Sequence, residues 1–318
     1  MLFSGSSVNG PGLPASAASA RIAPALSDQH VVFPDQIPAG PRHVVNFSPP
    51  WPLPDRLRRS APLSEEELCC LRWIFRQAGL NVHDYRPQTL QRRVPGLLRA
   101  LGVASLPEAR TLLRTSPPLV AQAMDALLIG VTSFFRDPEV FDALGETAIP
   151  ELSRRSGELH IWSTACSNGL ELASLALMLA EAGLLHRTRL LGTDCRESAV
   201  HNAQQAVFTA DAVCNIDKEL HRRYFMLRNG AWHMSSGLKN HLHWRKADLL
   251  REIEPGQWDM ILCRNFAMYL RSGAVIELWM RLRSAVRPEG FLVTGKAERL
   301  DRICGFRQVG PCLYRREE

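Results

Sequence analysis

Residues 158–194, ELHIWSTACSNGLELASLALMLAEAGLLHRTRLLGTD, constrain the fold of this chain more than any other stretch. Leu159, Ile161 and Trp162 form a short apolar run suited to a buried strand, and Ser163 to Gly169 are small or polar, as a turn requires. Leu172, Leu175, Ala176 and Leu179 recur at helical spacing, and Leu190 and Leu191 open a second strand that stops at Asp194. Strand, helix, strand is a βαβ unit, and such units build parallel sheets because parallel neighbours need a crossover. In open sheets of this kind a ligand sits beyond the carboxyl ends of the strands. Ser163–Gly169 and Asp194 both fall there, and an acid that ends the second strand can accept hydrogen bonds from a ribose diol. The dinucleotide pattern G-x-G-x-x-G is absent, with only Gly169 in the turn. Spacing alone therefore leaves a nucleoside-type ligand and an ordinary α/β turn both open.

The 318 residues can hold one large or two medium domains, and 46% hydrophobic content is ample for a core. Net charge is +6, but the arginines that dominate it are dispersed and no basic run is interleaved with aromatics, so nucleic acid is not an expected partner. Eight cysteines include the adjacent pair Cys69–Cys70 and form no paired C-x-x-C or Cys/His cluster, so no metal is expected. Residues 1–20 lack a charged segment followed by an apolar core, and no apolar run approaches the roughly 20 residues of a membrane span. The expectation is reduced thiols in a cytoplasmic protein without membrane insertion. Residues 1–62 are rich in Ser, Ala, Gly and Pro and read as a disordered leader, with Phe47–Trp51 as its best candidate for a docking segment.

At residue 63 the texture changes. Ser64 is a good helix cap, Glu65 to Glu67 suit the positive end of a helix dipole, and Leu68, Leu71, Ile74 and Phe75 make an apolar stripe ending near Gly79. Further helices are expected over 87–101, 106–114 and 119–130, the first kinked or broken at Pro95–Gly96 because an interior proline costs about 3 kcal/mol. These residues, 63–131, form a small all-α domain ahead of a domain over 132–318. In VTSFFRDPEVF, residues 131–141, the Phe134–Phe135 pair suits a core, and Arg136 beside it at a domain junction is placed to hold an anion. Helices are expected over 197–207, 217–225 and 276–286. Asn229–Gly230 signals a type I′ hairpin, giving a short insertion over 226–240. Strands are expected from Leu242 to near Asp248, within WDMILCRNFAMYL (258–270), at 291–294, and as a closing strand or hairpin over 306–314. Three strand ends thus carry ligand-competent side chains: Asp194, Asp248 and Asn265.

Taken together these residues resemble the bacterial chemotaxis protein methyltransferases, the CheR family. The resemblance runs from about residue 64 to the C-terminus. It rests on T-x-F-F-R at Thr132–Arg136, IWS-x-x-C-S-x-G-x-E at Ile161–Glu171, Thr193–Asp194, RYF at Arg223–Phe225, CRN-x-x-x-Y at Cys263–Tyr269 and G-x-x-E at Gly295–Glu298. It implies an α/β, Rossmann-like S-adenosylmethionine-dependent methyltransferase with a doubly wound, mostly parallel sheet, preceded by a small all-α domain. It implies cofactor contacts at Thr132, Arg136, Glu171, Asp194, Asp248, Leu249, Asn265 and Phe266, with Arg136 and Tyr269 beside the transferred methyl group. Glu171 would meet the cofactor's ammonium, Asp194 its ribose, Asp248 and Leu249 its adenine, and Asn265 and Phe266 its amino acid part. The implied reaction is in-line methyl transfer to a glutamate of a chemoreceptor-like protein carrying acidic methylation sites; a monomer is expected.

The chain departs from the family pattern at several points. Leu170-Glu171-Leu172-Ala173 stands where Glu-Glu-Pro-Tyr is usual, Gly130 replaces a common asparagine, Arg196 replaces the second acid of D-x-D, and Lys296 precedes the final glutamate. On the second helix Arg92, Arg93 and Arg99 remain, with Pro95–Gly96 in their midst. The hairpin segment from Met226 to Asn240 is short, which disfavours capture of a receptor's C-terminal peptide there. Two other readings stay open: a methyltransferase for a different carboxylate acceptor, and a non-catalytic module that binds S-adenosylmethionine and signals.

Overall fold

A computed structural model of the protein describes residues 62–128, 130, 132–300 and 305–317. The leader expected over 1–62, including Phe47–Trp51, lies outside the described residues except for Pro62. The chain then forms four helices, α1 (Glu65–Gln77), α2 (Pro87–Leu101), α3 (Leu106–Thr115) and α4 (Leu119–Leu127). Helix α1 starts where the sequence signals it: Ser64 Oγ accepts from the Glu67 amide at 3.2 Å and Glu67 accepts from the Ser64 amide at 2.8 Å. Its stripe of Leu71, Ile74 and Phe75 is fully buried.

Helix α2 runs unbroken through Pro95, so of the two expected outcomes, a kink or a break, the break does not occur. Leu90, Val94, Leu97 and Leu98 around the proline are all buried. Packing of that face outweighs one lost backbone hydrogen bond, because each fully buried leucine contributes about 1.5–3 kcal/mol. Helix α4 stops at Leu127 rather than 130.

A segment with no expected element follows: α5 (Pro138–Ala143) continues through a π-helical stretch, Leu144–Ala148, into α6 (Ile149–Arg154). Then come β1 (Leu159–Thr164), α7 (Leu170–Glu181), β2 (Thr188–Asp194), α8 (Glu197–Gln205), β3 (Val207–Phe208), α9 (Ala210–Val213), α10 (Lys218–Tyr224), β4 (Phe225–Arg228) and β5 (Ala231–Met234). The chain ends with α11 (Ser236–Lys239), β6 (Leu242–Lys246), β7 (Trp258–Cys263), α12 (Ser272–Ala285), β8 (Val286–Thr294), β9 (Phe306–Gly310) and β10 (Leu313–Arg316). Asn229 and Gly230 have φ of 51° and 76°, as a type I′ turn needs, and β3, β5 and β4 make a small separate sheet. The expected 197–207 helix ends at Gln205 because Ala206 turns left-handed and Val207 pairs with His233.

The main sheet has the order β6-β2-β1-β7-β8-β10-β9. Its first five strands are parallel, and β10 runs antiparallel between β8 and β9. Strand order reverses between β1 and β7, so the sheet opens a crevice at their carboxyl ends. The register brings those ends level, with Thr164 beside both Thr193 and Cys263, and Cys263 beside Thr294. Alternation along β1 sends Ile161 to a core shared with α5, α6 and α7 and sends Trp162 to a core shared with α12 and the four N-terminal helices. Both faces of the sheet are therefore covered, which is why β1 and β7 read as continuous apolar runs. Among the described residues no helix is long and apolar enough to cross a membrane.

Candidate functional site

The crevice between β1 and β7 is roofed by the helical domain. One part of it is lined by Thr132, Arg136, Glu171, Asn265 and Tyr269. The adjoining part is lined by Asp194, Asn265, Phe266 and Tyr269 from below and by Tyr85, Arg93 and Leu127 from the helical side. The roof is fixed by backbone contacts: the Arg86 amide donates to the Tyr269 carbonyl at 2.9 Å, and Arg86 Nε donates to the Leu270 carbonyl at 2.6 Å. Seven of the nine sequence-predicted positions, Thr132, Arg136, Glu171, Asp194, Asn265, Phe266 and Tyr269, thus meet in one cleft. Asp248 and Leu249 do not line it. Leu249 is buried in the core, and the charge of Asp248 helps to raise the pKa of Tyr85 and Cys195, after burial as the main cause.

The loop after β1 makes the cleft possible. Ala165, Ser167 and Gly169 take φ of 46°, 51° and 81°, and Asn265, after β7, takes 57°. Phe135 and Asp137, flanking Arg136, are also left-handed at 51° and 58°. Such conformations cost of order 1–3 kcal/mol each for residues other than glycine and persist only when surroundings over-determine them. Here the constraints are visible. Gly169 cannot carry a side chain, since a Cβ would stand 2.4 Å from the Trp244 ring. Ser167 is held through its amide by Asp194 Oδ2 at 2.9 Å, and the Phe135 amide donates to Ser174 Oγ at 2.9 Å.

Two acids face the cleft, each held by an arginine. Glu171, in the first turn of α7, accepts from Ser163 Oγ at 2.9 Å and from Arg264 Nη1 at 3.1 Å. Burial raises its pKa, with Arg264 and Ser163 pulling the other way. Arg264 is itself buried, and its Nη2 donates to the Arg136 carbonyl at 2.7 Å and to Asp137 at 2.9 Å. One guanidinium thus fixes both the Glu171 carboxylate and the backbone that carries Arg136. On the other side Asp194 accepts from the Ser167 amide and, at its other oxygen, from the Arg196 amide at 2.9 Å and Nε at 3.2 Å. Burial works against the Arg196 charge, and Asp194 more than offsets it, leaving that pKa raised. Arg196 also reaches Ser167 Oγ at 3.2 Å, in the space a side chain at position 130 would need, so Gly130 leaves room for the Arg196 guanidinium.

Sequence reasoning did not give Arg264 or Glu298 a role. Glu298 is 5% exposed, and its carboxylate accepts four backbone amides: Asn265 and Gly295 at 2.8 Å on Oε2, Phe266 at 2.8 Å and Met268 at 3.2 Å on Oε1. It holds in place the turn that carries Asn265, Phe266 and Tyr269. Two thiols line the cleft, Cys166 in one part and Cys195 in the other, and a third, the buried Cys263, ends β7. Burial, and then nearby carboxylates, push all three above the ordinary thiol range: chiefly Asp194 for Cys166 and Cys195, and Glu298 for Cys263.

The chain matches the CheR methyltransferase SAM-binding domain over residues 130–310, more than half its length, and the CheR methyltransferase all-alpha domain over residues 70–128. It belongs to the CheR methyltransferase family. It is similar to the chemotaxis protein methyltransferase of Borreliella burgdorferi, with 24% identity over 80% of this chain and 95% of that one. It is similar also to the Cher2 chemotaxis methyltransferase of Pseudomonas putida, with 25% identity over 76% and 92%, and to the Escherichia coli chemotaxis protein methyltransferase, with 27% identity over 72% and 82%.

The cofactor of the CheR family is S-adenosylmethionine, and the donor set here fits it. Each Glu171 oxygen carries one hydrogen bond and has a lone pair left for an ammonium. Asp194 already accepts three donors, so it has about one acceptor site left. It can take a single ribose hydroxyl as it stands, and both only if Arg196 withdraws. Tyr85 and Leu127 supply an apolar wall on the helical side of the cleft.

Proposed function

We propose that this protein transfers a methyl group from S-adenosylmethionine to a glutamate carboxylate on an acidic, chemoreceptor-like protein, with residues 63–131 as the helical domain and 132–318 as the methyltransferase domain. The observation that carries the reading is that Arg136, Glu171 and Tyr269 line one part of one cleft. When bound, the cofactor supplies an electrophilic methyl group on a sulfonium. The chain's part is to bind and align. Glu171 holds the cofactor's ammonium, Asp194 a ribose hydroxyl, and the Asn265–Phe266 turn the amino acid portion. An acceptor glutamate, with a reference pKa of about 4.3, is already ionised at neutral pH and needs no general base. Arg136 orients that carboxylate, and Tyr269 shapes the pocket beside it. Holding oxygen, carbon and sulfur in line supplies roughly 7–11 kcal/mol of the barrier reduction. Arg93, at the helical wall of the same cleft, favours the approach of an acidic surface.

The test is incubation of the protein with labelled S-adenosylmethionine and acidic receptor fragments, with mass spectrometry of the products. Arg136→Ala should lower transfer roughly 30- to 1000-fold, the effect of losing about 2–4 kcal/mol of transition-state stabilisation, while much of the cofactor affinity remains. Wild-type protein that binds cofactor and methylates neither receptor fragments, lysate proteins nor small acids would overturn the enzymatic reading in favour of a binding module.

A further inference from the structure

We infer that Arg196 is a displaceable stand-in for the cofactor's ribose: an internal cation that a bound ligand dislodges from Asp194 and that Asp125 of the helical domain then receives. The inference rests on the ribose reading of Asp194 and makes Arg196 a positioning residue that sets cofactor affinity. Arg196 stands two residues past the end of β2, at the N-cap position of α8, and lines the cleft. Its Nε donates to Asp194 Oδ1 at 3.2 Å, so a guanidinium occupies part of the acid that a ribose diol needs.

The side-chain bond is not what orients the acid. Two backbone amides already fix Asp194, that of Ser167 on Oδ2 and that of Arg196 on Oδ1, both at 2.9 Å. Those bonds remain when the guanidinium leaves. The guanidinium itself is loosely held: its contacts are 3.2 Å to Asp194, 3.2 Å to Ser167 Oγ and 3.9 Å to Asp125. Strong charge-assisted N–H···O bonds run about 2.7–2.9 Å. Arg264, which braces Glu171, shows the contrast, with bonds of 2.7, 2.9 and 3.1 Å.

A receiving acid stands beside it. Asp125 lies on α4, whose Leu127 lines the cleft, and its Oδ1, the oxygen Arg196 approaches, accepts from Ser198 Oγ at 2.6 Å. A carboxylate has about four acceptor sites, so Asp125 has room for a guanidinium. Asp194, with three donors, has about one site left for two ribose hydroxyls. Transfer of the guanidinium frees a second site and leaves no buried charge unpaired, since Arg196 exchanges one carboxylate for another. The fraction of molecules in which Arg196 covers Asp194 lowers the apparent cofactor affinity in proportion.

The experiment is calorimetric titration of the full chain with S-adenosylhomocysteine, which lacks the sulfonium charge and so does not report simple repulsion by the arginine. Arg196→Ala should bind it at least about fivefold more tightly than wild type, the gain expected when Asp194 is covered in about four molecules of five. Asp125→Asn keeps an acceptor for Ser198 but removes the charge that receives Arg196. It should bind at least about threefold more weakly, and that loss should vanish in the Asp125→Asn/Arg196→Ala double variant. Asp125→Asn also tests the idea, with the opposite sign, should Arg196→Ala fail to fold. Equal or weaker affinity in Arg196→Ala, equal or tighter affinity in Asp125→Asn, or a loss that persists in the double variant would each overturn the inference. Asp194→Asn separates the inference from its premise. Unchanged affinity there removes the ribose reading and the inference with it, whereas weakened binding there with no gain in Arg196→Ala removes the inference alone.

Discussion

Replacing Glu298 by glutamine tests how the turn beneath the cleft is held. The side chain keeps its shape, but one acceptor oxygen becomes an amide donor. Whichever oxygen is lost, two backbone amides lose their acceptor: Asn265 and Gly295 on one side, or Phe266 and Met268 on the other. A buried donor left unsatisfied costs about 1–3 kcal/mol, and the two remaining bonds lose their charge assistance. Some relaxation toward water is available, so a loss near 3 kcal/mol is the working figure, a large part of a total stability of about 5–15 kcal/mol. In a domain of this size that lowers the melting midpoint by about 6–12 °C. The assay is urea and thermal unfolding of wild type and Glu298→Gln, with S-adenosylmethionine affinity from calorimetry, because Asn265, Phe266 and Tyr269 ride on the same turn. A stability loss under about 1 kcal/mol with unchanged affinity would show that the turn is held by something else.

Glu171 should set a pH dependence of cofactor binding. Burial raises its pKa, and only the carboxylate attracts an ammonium, so affinity should fall as pH drops through a midpoint above the ordinary value of about 4.3. The effect on folding has the opposite sign: a raised carboxyl pKa gives stability that is present at low pH and lost as pH rises through the folded midpoint. A cofactor-binding midpoint at or below 4.3, or the same dependence in Glu171→Gln, would refute the assignment. Asp194→Asn should weaken S-adenosylmethionine by about 1.5–3 kcal/mol, roughly 10- to 150-fold, and calorimetry giving equal affinities would reject the ribose role. Gly130→Ala places a Cβ 2.4 Å from Ser167 Oγ and 2.8 Å from Arg196 Nη2, so the loop must shift, and a destabilisation of about 1–3 kcal/mol is expected in denaturant titrations.

The βαβ unit was legible because its signal is local: β1 and β2 end at Thr164 and Asp194, and Glu171 stands in the first turn of the helix between them. The unbroken α2 was not legible, because the packing that carries it past Pro95 comes from residues of other helices. The segment from Pro138 to Arg154 bears two prolines and a π-helical stretch, which blur the helical period. The roles of Arg264 and Glu298 depend on partners 93 residues and about 30 residues away, brought together only by the sheet register. The one signal for Arg264 was a charged residue directly after a fully buried strand. The helical wall of the cleft, Tyr85, Arg93 and Leu127, left no mark in the sequence because it depends on how two domains pack.

The thiols in and beside the cleft bear on chemical selectivity. Sulfur is a softer and stronger nucleophile than a carboxylate oxygen, but only as the thiolate. A protein that handles an alkylating agent next to its own cysteines risks marking itself. Cys166, Cys195 and Cys263 are held as thiols first by burial and then by the acids around them: Asp194 and Glu171 for Cys166, Asp194 and Asp248 for Cys195, Glu298 and Glu171 for Cys263. The negative charges that suit the cleft to a cationic ligand therefore also quench its most reactive internal competitors, leaving an incoming carboxylate without a rival.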